Sequence, residues 1–111
     1  MKRIIEIDGK ELTLENNALL PRRYRHTFGR DIVVDMQAMA AAYKKDHTSV
    51  NMEVLEDITW LMLKEGGEQV GENPEQWLAG IDDTFAVYTA AETVLGLWVE
   101  GRKTTSVSKK K

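Results

Sequence analysis

Apolar and polar positions alternate at the start of the chain. Ile5 and Ile7, then Leu12 and Leu14, stand between polar neighbours at the period of two expected of half-buried strands. Asp8-Gly9 separates the runs 3–7 and 11–15 and signals a hairpin, because glycine tolerates the positive φ of tight turns. A lone hairpin is marginal in water, so this one is expected to pack on helices. From Pro21 the period changes. Proline suits the first turn of a helix, where its missing N–H costs nothing, and Gly29 is a good stop, so a helix is expected from Pro21 to Phe28. Asp31 is placed to cap a second helix. Along it Ile32, Met36, Met39 and Tyr43 fall at helical spacing, with Val33 and Ala40 widening the stripe. A polar loop over 44–49 precedes a third helix from roughly Asn51 to Lys64. Its apolar rows are Leu55, Ile58, Met62 and Val54, Leu61, and Glu65-Gly66-Gly67 ends it. Pro74-Glu75-Gln76-Trp77-Leu78 reads as a short helix. The longest helix is expected from Asp82 to Val99. Its stripe is Ile81, Phe85, Tyr88, Ala91, Leu95 and Trp98, with Val87, Val94 and Leu97 beside it, and it should form the centre of the core.

The pattern predicts an α+β, mainly helical fold: an N-terminal β-hairpin followed by four or five helices. Residues 1–100 form a single domain, and residues 101–111, almost without apolar side chains, form a basic disordered tail.

Composition narrows the class. Among 111 residues, 42% are hydrophobic and 30% charged, the range of an ordinary globular protein. The absence of cysteine excludes disulfides and thiolate metal sites. Met1-Lys2-Arg3-Ile4-Ile5 begins like a signal peptide, but Glu6 and Asp8 cut the apolar stretch short. No run approaches the ~18 apolar residues of a membrane span. The formal net charge of −3 is unevenly spread. Residues 21–30 hold Arg22, Arg23, Arg25 and Arg30 with no acid. Residues 31–101 hold fourteen acids against Lys44, Lys45 and Lys64, and the tail is basic again. An acidic body with two basic patches suits protein contacts better than a broad nucleic-acid surface.

Candidate chemistry is sparse. His26 and His47 have no metal-ligand spacing, and His26 beside Arg25 reads as a surface residue. Gly66-Gly67 and Gly71 lie in an acidic loop without the lysine of a phosphate loop. Asp82-Asp83 resembles a paired-carboxylate site, but an N-cap and first-turn pair is the preferred reading. No serine stands in a nucleophile elbow. An enzyme would have to use Asp82, Asp83 and His47. No catalytic, cofactor-binding or metal-binding residue is assigned. The cluster Arg22-Arg23-Tyr24-Arg25-His26 has the arginine and aromatic interleaving that suits nucleic acid. The preferred reading is a solvated face whose arginines pair with the acidic body. Trp98 reads as core. Trp60 lies off the Leu55/Ile58/Met62 row and is either a second core face or an exposed patch, and Trp77 sits on a surface helix. Exposed aromatic anchors commonly carry interfaces. Met36, Met39 and Met62 are adaptable groups read first as core fillers.

The chain order resembles the small tail assembly chaperones of long-tailed phages and prophages, especially of Gram-positive hosts. The segments that carry the resemblance are Ile5 to Leu12 and Pro21 to Asp35. Within the second, Tyr24-Arg25-His26-Thr27-Phe28-Gly29-Arg30-Asp31-Ile32 is similar to a Tyr-Arg-x-x-Phe-Gly-x-Asp-Ile stretch. Thr59-Trp60-Leu61-Met62, Pro74-Glu75-Gln76-Trp77-Leu78 and a long apolar helix follow in the same order. The resemblance spans about 95 residues and stops at the tail. It implies a largely helical fold in the host cytoplasm, with no cofactor and no catalytic residue. It implies several copies coating the tape measure protein, keeping it soluble and recruiting major tail protein, with self-association left open and no membrane contact. The partner contacts expected are Arg22, Arg23, Arg25, Trp60 and Trp77. The alternative is a small nucleic-acid-binding regulator using Arg22 to Arg30. Such chaperones are often made in a second, longer form by a −1 frameshift, and Lys109-Lys110-Lys111 would suit an A-rich slip site as well as a solvated C-terminus.

Overall fold

Asp8 and Gly9 have φ of 55° and 79°, the left-handed pair that a two-residue hairpin loop demands. They join β1 (Lys2–Ile7) to β2 (Lys10–Glu15) in an antiparallel ladder that runs from Lys2 opposite Glu15 to Ile7 opposite Lys10. One face buries Ile5, Ile7 and Leu14; Ile4 on the other face is 63% exposed. The alternation read from the sequence is therefore the alternation of the two faces. The coordinates are a computed structural model that describes the backbone of residues 1–109 and side chains as far as Gly101. Lys110 and Lys111 of the terminal lysine run lie outside the described residues, as do the side chains of the 102–111 basic tail.

Five α-helices follow the hairpin: α1 (Leu20–Phe28), α2 (Ile32–Lys45), α3 (Met52–Glu65), α4 (Pro74–Ala79) and α5 (Ala91–Lys109). Helix covers 56% of the chain and strand only the two six-residue arms of the hairpin, so the class is α+β and mainly helical. Local chemistry sets most of the boundaries. Gly29, at φ 70°, closes α1 by donating its N–H to the Arg25 carbonyl at 2.8 Å. The Asp31 carboxylate accepts from Val33 N–H and opens α2; Asn51 does the same for α3 through Val54, and Asn73 for α4 through Gln76. No helix among the described residues is long and apolar enough to cross a membrane.

The centre of the core is α3, not the last helix as the apolar stripe suggested. Every residue from Asp57 to Leu63 is buried. A helix wrapped on all sides needs no polar face. The hairpin covers one side of it through β2, while α1 and α2 cover another. The hairpin is fastened at the C-terminal end of α3. Thr13 N–H donates to the Glu68 carboxylate at 2.7 Å. Gly66 comes so close to β2 that an added Cβ would stand 2.2 Å from the Thr13 carbonyl oxygen. Gly66 has an ordinary negative φ, so the site requires glycine for space rather than for conformation.

Two polar residues lie inside α3. Thr59 donates its hydroxyl back to the Leu55 carbonyl at 2.7 Å. Asp57 cannot satisfy itself, and Arg30 reaches it from the α1–α2 corner. One Arg30 Nη2 lies 2.8 Å from Asp57 Oδ2 and 2.7 Å from the Tyr24 hydroxyl, while Nε lies 2.9 Å from Asp35 Oδ2. The Tyr24 hydroxyl, accepting from Arg30, donates to Asp35 at 2.7 Å. The guanidinium also sits 5.3 Å from the Tyr24 ring centre and 5.4 Å from that of Phe28. Four side chains thus tie α1, α2 and α3 together. Burial pushes the Asp57 carboxyl above its usual range, and Arg30 pulls it back only in part. Burial and the hydrogen bond to Asp35 hold the Tyr24 phenol far above its ordinary value, while Asp57 raises Arg30.

The C-terminal third departs from the expected pattern. The long helix begins at Ala91, after a 3-10 turn at Tyr88–Ala90, and runs to Lys109 rather than spanning Asp82 to Val99. Its buried residues are Ala91 and Leu95 of the predicted stripe together with Val94 and Leu97 from its flank. This helix closes the chain on its start: the Asn16 side-chain amide donates to the Leu97 carbonyl at 3.1 Å, and Arg3 pairs with Glu100.

Gly66→Ala is expected to destabilise the fold by about 1–3 kcal/mol, since backbone must give way; a urea midpoint equal to wild type would show the approach to be looser than described. Arg30→Met should cost about 2–3 kcal/mol. That is below the range for a fully buried pair, because the Arg30 side chain keeps 35% of its surface exposed. Adding Asp57→Asn should cost clearly less than the two single changes summed, and strict additivity in denaturant melts would disprove the coupling.

Candidate partner-binding surfaces

The first surface is α1. Its buried side carries Leu20 and Tyr24. With that face fixed, Arg22, Arg25 and His26 project into solvent. Arg23 lies 3.3 Å from the Glu65 carboxylate, whose side chain is only 13% exposed. Arg30 belongs to the polar cluster. The basic run of the sequence therefore divides: Arg23 and Arg30 are paired with acids, as the solvated-face reading expects. Arg22 and Arg25 have no ion pair among the described residues.

Trp60 corrects the sequence-based expectation of a partner contact. It is 1% exposed, and its indole N–H donates to the Val70 carbonyl at 3.0 Å. The Phe28 ring meets it edge-on at 6.1 Å, and the Lys64 ammonium lies 5.0 Å from its ring centre. Its position off the apolar row pointed outward only if α3 had a solvent side, and at that level α3 has none. Trp77 is half-buried on α4. It lines a cleft of about 250 Å³ between α4 and the hairpin, beside Ile7, Leu12 and Ile81, with Asp8 and Lys10 also at the wall. Arg22, Arg23 and Arg25 share α1, whereas Trp77 stands across the fold beside the hairpin tip.

Two apolar surfaces escaped the sequence reading. On α2, Val33 and Val34 are 44% and 58% exposed, because the buried side is Ile32, Met36 and Met39. The second is Phe85, expected in the core and found 66% exposed. Residues 82–87 run as irregular chain and turns, so the helical stripe that would have turned Phe85 inward does not exist. The Asp83 carboxylate accepts from Phe85 N–H at 3.0 Å, and Asp82 N–H donates to the Asp8 carboxylate at 3.3 Å. These aspartates shape a turn instead of opening a helix. The signal was present in the sequence: an aspartate that bonds the N–H two residues on makes its own turn.

Phe85 overhangs an open groove of about 480 Å³ whose other walls are Thr48, Met52, Glu56, Thr84 and Tyr88. The Tyr88 hydroxyl donates to the His47 carbonyl, and the His47 ring stacks on Tyr43 at 4.2 Å. No hydrogen bond or ion pair among the described residues joins Asp82, Asp83 and His47 into one constellation. Glu56 is the one charged wall of the groove. Partial burial raises its carboxyl pKa most, and the neighbouring Asp57 and Glu53 raise it further.

A raised carboxyl gives stability that is complete below the unfolded-state pKa and is lost as pH climbs through the folded value. Glu56→Gln removes that loss. The variant should therefore melt above wild type at pH 7, and the gap should close near pH 3, where both forms are neutral. A Gln variant that melts below wild type at pH 7 would contradict the assigned strain.

No family model matches the chain, and no curated protein and no solved structure matches it.

Proposed function

We propose that this chain is a non-enzymatic chaperone of phage tail assembly, acting in the host cytoplasm to hold the tape measure protein and help recruit major tail protein. The observation that carries the reading is the order and spacing of segments from Ile5 to the closing helix, with Tyr24-Arg25-x-x-Phe28-Gly29-x-Asp31-Ile32 at its centre. The structure gives that stretch a physical job. Tyr24 and Ile32 are buried, Gly29 stops α1 and Asp31 starts α2. A chaperone that must later release its client needs several moderate contacts rather than one deep pocket. Phe85, the α2 valines, the open side of Trp77 and the unpaired Arg22 and Arg25 supply such contacts, on separate parts of the surface. Trp60 no longer belongs among them.

A nucleic-acid regulator is the second reading, favoured only by the exposure of Arg22, Arg25 and His26. Two free arginines neutralise two phosphates, so binding through α1 would show a log–log salt slope no steeper than about −2.

The test is co-expression with the long helical protein of the tape measure gene from the same genome. The expected result is a client that stays in the soluble fraction and co-purifies with this chain, and that precipitates without it. A client equally soluble, or equally insoluble, with and without this chain would end the chaperone reading. A shift of duplex DNA with a salt slope near about −2, lost on Arg22→Glu/Arg25→Glu, would put the second reading in its place.

A further inference from the structure

We propose that the groove beneath Phe85 is a docking site for an amphipathic helix of another protein, one that sets an apolar side chain against Phe85 and Met52 and a lysine or arginine against Glu56. As an account of how a tape measure protein is held, this rests on the tail-assembly reading; as a statement about the groove it stands on geometry.

Three observations select that occupant. Among the described residues Phe85 has the highest fractional exposure of the large hydrophobic side chains, and with Met52 and Tyr88 it makes the wall mostly apolar. Such a surface gains by leaving water, at roughly 25 cal/mol per Å² covered. The rim is acidic. Glu56 lies in the wall, Glu53 is one turn before it on α3, and the Asp83 carboxylate sits against the Phe85 N–H. None of these three has an ion pair among the described residues. A phosphate or an acidic peptide would be repelled here. A small cation would satisfy Glu56 and leave Phe85 wet. Only a ligand carrying both groups on one face answers both walls, and residues three or four apart on a helix are so placed. Glu56 is already partly stripped of water and crowded by like charge, so part of the desolvation that an ion pair demands is met before the ligand arrives.

The experiment titrates the full chain with a 14-residue amidated peptide of leucine and lysine at helical spacing, by calorimetry in low salt. A leucine–glutamate peptide of the same pattern is the comparison. Phe85→Ala and Glu56→Gln should each weaken binding by about tenfold. Glu72→Gln/Glu75→Gln, which removes two acids beside and on α4, should change it by less than about twofold. The leucine–glutamate peptide should give no heat. Equal binding by Phe85→Ala and wild type, or an equal loss in the α4 double variant, would reduce the effect to diffuse charge attraction and overturn the proposal. So would the absence of any binding. Concentration-dependent sedimentation of the free chain that disappears in Phe85→Ala would overturn it in favour of a second copy as the occupant. Because the peptide is not a tail protein, failure here leaves the co-expression result to stand or fall alone. Thermal melts of each variant separate lost binding from lost fold.

Discussion

The stretch of α3 from Asp57 to Leu63 is enclosed on every side and has no place for an unpaired charge, yet Asp57 stands in it. Among the described residues its ion-pair partner is Arg30, which arrives from the corner between α1 and α2 and is itself oriented by Tyr24 and Asp35. The angle at which the first two helices meet the third is thereby restricted. Apolar packing alone would tolerate small rotations of α1 or α2 against α3, but a guanidinium serving three acceptors at 2.7–2.9 Å does not. The corner, the polar cluster and the enclosed helix form one unit, and the exposed faces of α1 and α2 follow from it. Arg22 and Arg25 point outward because Tyr24 points inward; Val33 and Val34 are left in water because Ile32 and Met36 are not.

The features legible in the sequence are those decided within a few residues. Asp8-Gly9, Pro21, Gly29, Asp31 and Pro74 each act through their own backbone or the next turn, and each sits where its chemistry suggested. Trp60 and Phe85 were misplaced for a shared reason. Both assignments assumed that an apolar stripe on a helix identifies the buried side. For α3 the neighbours, not the stripe, decide burial, and β2, α1 and α2 surround it. For Phe85 the helix was absent, because Asp83 spent its carboxylate on a local turn. The partner contacts were legible only in part: charge marked the α1 arginines, yet their division into paired and free depended on Glu65 and Asp57, far along the chain.

The exposed groups have a common character. None lies in a deep cavity, and each combines a modest apolar patch with charge close by: Trp77 with Asp8 and Lys10, Phe85 with Glu56, the α2 valines with Asp31. Surfaces of this kind bind through area and charge together. Such contacts exchange more readily than buried hot spots, because water and salt reach their edges.

The bond between Asn16 and the Leu97 carbonyl, with the ion pair from Arg3 to Glu100, spans nearly the whole chain. On the ribosome the hairpin precedes α5, so two of its anchors do not exist until the closing helix has been synthesised. Both contacts join residues far apart along the chain, at separations of 81 and 97 positions, so among the described residues they close the longest loops of the fold and carry a correspondingly high closure entropy.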